Sequence, residues 1–200
     1  MNQINNQNDR DQALRIRDRW CKTVRAKLSG STVLVAMSGG VDSSVAAYLL
    51  ANAGLQVIGI HFRLQPEGVP ATAKGCCHTG SANDVTAVCD TIGATSQVWN
   101  LSNVFDEEVI KYFEHSYLTG ETPNPCVECN RTLKWGVLWE RRNLLGIDFI
   151  STGHYARKIN LLNKSWFGRA IDKSKDQAYA LWPVPEERRE YTLLPLGVFH

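Results

Sequence analysis

The stretch Ser38-Gly39-Gly40-Val41-Asp42-Ser43-Ser44 follows the apolar run Thr32-Val33-Leu34-Val35 and opens a helical pattern. A strand that turns through glycines into a helix presents backbone N–H groups with no intrahelical partner, at the positive end of the helix dipole. Gly39 and Gly40 let the main chain approach an anion closely, and Ser38, Ser43 and Ser44 add hydroxyl donors. Such a loop suits phosphate. It contains neither the GxxxxGK[ST] of a Walker loop nor the GxGxxG of a dinucleotide fold. Asp42, a carboxylate in a loop suited to anions, requires its own explanation.

The second set of reactive side chains is sulfur. Cys21, Cys76, Cys77, Cys89, Cys126 and Cys129 occur behind a polar, partly acidic N-terminus, MNQINNQNDRDQ, with no secretory core segment. Reactive or metal-binding thiols are therefore expected in place of a disulfide framework. Cys126-Val127-Glu128-Cys129 is a CxxC pair, which can act as a redox couple, half a zinc site or part of an iron–sulfur cluster. No second CxxC exists to complete a Cys₄ zinc site. Adjacent Cys76 and Cys77, followed by His78, cannot easily both reach one ion, so a loop role is expected there. His61 is expected in a strand, packed or close to a nucleotide. Trp135, Leu138 and Trp139 are at helical spacing and are expected in the core.

These groups need a scaffold. The 200-residue chain, long enough for one well-buried α/β domain, is 44% hydrophobic and 21% charged, the profile of an ordinary soluble globular chain, and its net charge of +2 neither demands nor excludes a nucleic-acid partner. No apolar run reaches the ~18 residues that cross a bilayer, so no membrane partner and a cytoplasmic location are expected. Residues 1–12 are expected to be a disordered tail and 13–30 a basic amphipathic helix, which either lies solvated on the core or contacts RNA. Beyond it, strand and helix signals alternate: strands at 32–37, 56–63, 96–101 and 148–152, helices at 42–53, 82–92, 104–118 and 132–145. A doubly wound parallel sheet follows, with ligands at the carboxyl ends of its strands. Long loops at 65–80 and 119–130 leave such ends. A hairpin turning at Leu162-Asn163, a short helix at 175–182 and a strand at 191–194 complete the pattern.

SGGVDSS in its strand-to-helix context resembles the PP-loop of the N-type ATP pyrophosphatases, which cleave ATP between the α and β phosphates. TPNPCVECNRTLKWG (122–136), STGHYAR (151–157), SKDQAYAL (174–181) and Cys76-Cys77 together resemble the N-terminal catalytic domain of the tRNA-specific 2-thiouridylase family, from about Val33 to Phe199. The resemblance implies an adenine-nucleotide α-hydrolase fold and an enzyme that adenylates the C2 oxygen of a wobble uridine in tRNA. Pyrophosphate leaves, and sulfur from a cysteine persulfide displaces AMP. ATP and Mg²⁺ are the implied cofactors. Beside Mg²⁺ a carboxylate becomes attractive, so Asp42 is expected to orient the hydrated ion or fix the loop. The implied partners are tRNA and a sulfur donor, either a cysteine desulfurase or a sulfur-relay protein.

Matched residue by residue, the family's ATP positions are Ala36, Met37, Ser38, Gly39, Gly40, Val41, Asp42, Ser43, Phe62 and Gly153. Its base-contacting segment is Asn124, Pro125 and Cys126, and its tRNA contacts are His154, Lys175, Asp176 and Gln177. Cys129 matches the first catalytic cysteine, as nucleophile or as the thiol that resolves a persulfide. It is expected just before the helix 132–145, where the dipole, Arg131 and Lys134 favour thiolate. Many members carry aspartate where this chain has Cys126. Related thiolation enzymes hold a [4Fe–4S] cluster on three cysteines, which makes Cys126 and Cys129 candidate cluster ligands. The family's second catalytic cysteine, central domain and C-terminal β-barrel have no counterpart in this sequence. The alternatives are therefore a truncated ATP- and tRNA-binding module, or another PP-loop adenylating ligase such as an NAD or GMP synthetase.

Overall fold

The computed structural model describes residues 2–65 and 81–199, the first few as backbone alone; the expected loop 65–80 with Cys76, Cys77 and His78 is therefore outside the described residues, except for Gln65. Four parallel strands carry the architecture: β1 (Thr32–Met37), β2 (Gln56–Arg63), β3 (Thr95–Asn100) and β4 (Phe149–Thr152). With the short β7 (Thr192–Leu193) they form a sheet of order β3-β2-β1-β4-β7, every pairing parallel.

β1 is central because both its faces are apolar. Leu34 and Ala36 enter one core with Ile60, Ile150, Leu133 and Trp135, while Val33, Val35 and Met37 enter a second with Leu49, Leu50, Val57 and Cys89. This period-two split places helices on both faces. Gly59 of β2 keeps the second core closed, since a Cβ there would come within 2.5 Å of Cys89 Sγ and 2.8 Å of Met37 Sδ.

The second core is covered by α1 (Asn2–Leu28), α2 (Val41–Asn52) and α3 (Ala82–Ile92). α3 has a complete capping box, with Ser81 and Asp84 satisfying each other's backbone N–H groups, and ends at Gly93 with φ +69°. The first core is covered by a helix of three pieces, α4 (Ser102–Phe105), a π stretch Asp106–Ile110 and α5 (Lys111–Leu118), and by a second composite helix: α6 (Pro125–Cys129), a π stretch Asn130–Val137 and α7 (Leu138–Leu144). A hairpin, β5 (Ala156–Leu161) and β6 (Lys164–Arg169), turns at Leu162 and Asn163 with φ of 51° and 61°, the left-handed pair of a two-residue hairpin. A short 3₁₀ turn (Ala178–Leu181) and α8 (Glu186–Arg189) follow.

Two expectations change. The N-terminal helix starts at Asn2 instead of Ala13; residues 2–12 contain no proline or glycine to stop it. The helix after the second long loop starts at Pro125 instead of Thr132, because Asn124 and Pro125 form a start signal seven residues earlier than the apolar periodicity suggested.

Candidate nucleotide and thiol site

β2 and β3 lie on one side of β1 and β4 on the other, so the strand order reverses at the carboxyl ends of β1 and β4. That switch point is where an open α/β sheet opens a crevice for ligands. The loop leaving β1 and the Gly153-His154 corner leaving β4 meet there. A Cβ on Gly153 would fall 2.7 Å from Ser43 N and 2.9 Å from Ser43 Cα, so glycine is what lets the end of β4 lie against the first turn of α2.

The loop holds its own shape. Gly39 has φ +80°, and Gly40 occupies the N-cap of α2 without a side-chain cap. The expectation that all the serine hydroxyls face an anion changes here. Ser43, only 6% exposed, donates to Gly40 O at 3.1 Å and accepts from Ser38 N at 3.2 Å, while Ser44 donates to Gly40 O at 2.9 Å. Their work is to set the loop, with Ser38 Oγ accepting from Gly40 N at 3.3 Å. Donors for an anion are then the main-chain amides at the uncapped start of α2. Ala36 and Met37 are buried, Met37 beside the Cys89 thiol at 3.9 Å, which leaves only their main chain to offer a ligand. Val41 is 77% exposed at the mouth. Phe62, at the end of β2, stacks on Trp99 with ring centroids 6.3 Å apart.

Asp42 is exposed on the first turn of α2 and accepts a hydrogen bond from Tyr155 Oη at 3.2 Å. Burial pushes the Tyr155 phenol above its usual range, and the Asp42 charge adds to the shift. Tyr155 was not singled out from the sequence, although it lies within STGHYAR. Its main chain also organises the site: Gln177 Oε1 accepts from Tyr155 N at 3.0 Å, Gln177 N donates to Tyr155 O at 2.9 Å, and the Lys175 ammonium lies 5.8 Å from the Tyr155 ring centroid. Asp176 accepts from the Ala170 and Ala178 amides. Of Lys175, Asp176 and Gln177, the last two therefore have structural bonds and Lys175 is exposed. His154 Nδ1 is 2.7 Å from Thr152 Oγ1, and its ring lies 5.9 Å from that of Trp135.

The thiol pair is on α6. Asn124 accepts from Cys126 N at 3.0 Å and Val127 N at 3.4 Å, and Pro125 occupies the first turn. Cys126, half-buried, is at the positive end of this helix; Cys129, 6% exposed, is one turn further in, on the same side. This corrects the expectation that Cys129 precedes its helix. Arg131 pairs with Glu128 at 2.8 Å, and Lys134 donates to Asn130 Oδ1 at 2.9 Å. Asn130, missed in the sequence, is 1% exposed and donates to Ala180 O at 2.9 Å, tying the thiol helix to the 3₁₀ turn that follows Gln177. The aromatic expectation holds for Trp135, fully buried with its indole N–H on Thr192 Oγ1 at 2.9 Å, and for Leu138.

His61, beside Met37 in β2, has its pKa lowered by burial, and its Nδ1 is buried without a hydrogen-bond partner. Among the described residues no three His, Cys, Asp or Glu side chains gather into a metal cluster, and no helix is long and apolar enough to cross a membrane.

Comparison with known proteins places this geometry in a lineage. The family model described as the tRNA methyl transferase HUP domain matches residues 31–200. The tRNA-specific 2-thiouridylase MnmA of Moorella thermoacetica is 47% identical over 168 residues, covering 82% of this chain and 47% of that protein. The protein of the same name from Heliobacterium modesticaldum is 44% identical over 171 residues, covering 84% of this chain and 44% of its own length. The chain thus spans about half the length of the curated relatives it matches. Among solved structures, the NH3-dependent NAD synthetase of Campylobacter jejuni aligns over 69% of this chain and 55% of its own, with 15% identity and a TM-score of 0.44.

Proposed function

The chain belongs to the family whose shared unit is the tRNA methyl transferase HUP domain, and on that premise we propose that it carries the ATP-dependent chemistry of tRNA 2-thiolation. The amides at the start of α2 hold the phosphates of ATP, with Phe62 beside the nucleotide. The C2 oxygen of a wobble uridine attacks the α-phosphorus, pyrophosphate leaves, and a sulfur nucleophile replaces the adenylated oxygen. A neutral carbonyl oxygen is a poor leaving group, and the phosphate ester made from it is a good one; that is the use of ATP here.

One observation carries this reading. A continuous hydrogen-bonded path runs from Asp42 through Tyr155 to Gln177, and from the adjoining 3₁₀ turn through Ala180 to Asn130, next to Cys129. The phosphate loop and the thiol helix, on opposite faces of the sheet, are thereby fixed to one another. Asn124, Pro125 and Cys126, at the exposed start of α6, would meet the target base. His154 and Lys175 flank the same mouth and would contact the tRNA, with Asp176 and Gln177 shaping the surface behind them.

Asp42 suits Mg²⁺, which usually takes one or two carboxylates and completes its shell with water and substrate phosphates. The ion would neutralise charge on the departing pyrophosphate. Cys126 and Cys129, one turn apart, would supply two of the thiolates that a [4Fe–4S] cluster takes. The partners are tRNA and a donor that delivers sulfur to the thiol pair.

The test is ATP–pyrophosphate exchange by the full chain, with tRNA or with small carboxylic acids as the acceptor. Exchange stimulated by unmodified tRNA supports the proposal. Stimulation by a small acid instead would move the protein to the amide-forming ligases, and tRNA binding with no AMP formed would leave a binding module. The Asp42→Asn variant should lose Mg²⁺-dependent exchange about 10²-fold or more; full activity would remove the metal role.

A further inference from the structure

The helix α1 lies outside the part of the chain that the family model matches, which begins at residue 31. Two contacts fix its direction: Arg25 donates to Asn52 O, and Cys21 Sγ to Leu49 O. The partners advance together along both helices, so α1 and α2 are parallel. Their amino ends therefore point to the same end of the sheet, the one that holds the phosphate loop.

At 100° per residue, Arg15, Arg19 and Lys22 fall within about 60° of arc and span about 10 Å of helix. All three are exposed. The opposite side carries Trp20, Cys21, Val24 and Leu28, all packed in the second core. Arg19 and Lys22 form no ion pair among the described residues, Arg15 contributes one donor to Asp11 O, and of the two acids beside the strip, Asp11 and Asp18, Asp18 is paired with Arg17. The surface is thus an outward row of cations whose apolar counterpart is already used. A bilayer-bound amphipathic helix would need that apolar side free. A polyanion needs only the charges, and three cations over about 10 Å suit successive phosphates of one nucleic-acid strand, about 3.4 Å apart along an axis.

We propose that Arg15, Arg19 and Lys22 form a phosphodiester-docking strip that holds the body of the tRNA while its target base occupies the mouth between α2 and α6. The inference rests on tRNA being the substrate. Phosphate contacts position without reading sequence, so the strip raises affinity for every tRNA alike and leaves the choice of base to α6.

The experiment measures tRNA affinity of the full chain at several salt concentrations, for wild type, for Arg15→Gln/Arg19→Gln/Lys22→Gln, and for a Lys111→Gln/Lys164→Gln control on other surfaces. The triple variant should bind about tenfold or more weakly at low salt, with a log–log salt slope shallower by about two to three, while ATP affinity is unchanged. Wild-type affinity and slope in the triple variant, with tRNA still bound, would overturn the strip alone. No tRNA binding by wild type would overturn the functional reading beneath it. Wild-type adsorption to vesicles containing 30% phosphatidylserine, lost in the triple variant while tRNA binding is kept, would assign the strip to membranes and overturn the proposal.

Discussion

Gly153 shows how much a single residue can decide. Alanine there would put its Cβ 2.7 Å from a backbone nitrogen of α2, and neither partner is a flexible side-chain end. Gly153→Ala should therefore cost about 1–3 kcal/mol of stability and weaken nucleotide binding with it, measured by thermal melts with and without ATP. An unchanged ATP-induced stabilisation would mean that the β4 corner is not part of the site. His61 gives a prediction in pH. Its folded pKa is lowered from 6.5 by burial, so the unfolded chain binds the proton more readily. Stability is then full above about pH 6.5 and declines as pH falls from there toward the folded pKa. Chemical denaturation between pH 7.5 and 5 should show that decline, and His61→Gln should flatten it.

At the scale of elements, α6 is where physics and pattern diverged. The apolar periodicity of 132–145 marked a real helix, but Asn124 as a cap and Pro125 behind it began the helix at the CxxC itself, with the π stretch joining the pieces. A cap is legible in sequence only when the residue is known to precede a helix, and NPCVEC lacks the apolar stripe that would mark one. The hairpin turn at Leu162-Asn163 was legible, since a two-residue break between alternating segments leaves few conformations. Asn124→Ala should destabilise the start of α6 by about 1 kcal/mol. Hydrogen exchange of the 125–129 amides should rise while those of β1 and β2 stay protected. Equal exchange in both proteins would show that tertiary contacts, not the cap, hold the thiol helix.

For the whole molecule, the fold was legible because alternation of strand and helix has few parallel solutions, and β1, apolar on both faces, had to be central. The turn from β1 into α2 was legible from the adjacent residues 38–44. The path Asp42–Tyr155–Gln177 and Asn130–Ala180 was not, because its members are separated by more than a hundred positions in one case and by fifty in another. Local pattern contains no information on such pairs. The central claim is that nucleotide phosphates lie on the amides that open α2, within reach of the thiol helix. A crystal structure of the chain with Mg²⁺ and a non-hydrolysable ATP analogue tests it most directly. The account predicts the β and γ phosphates against the backbone of residues 38–43, the metal on Asp42 and the base beside Phe62; a nucleotide bound elsewhere, with that loop empty, would contradict it.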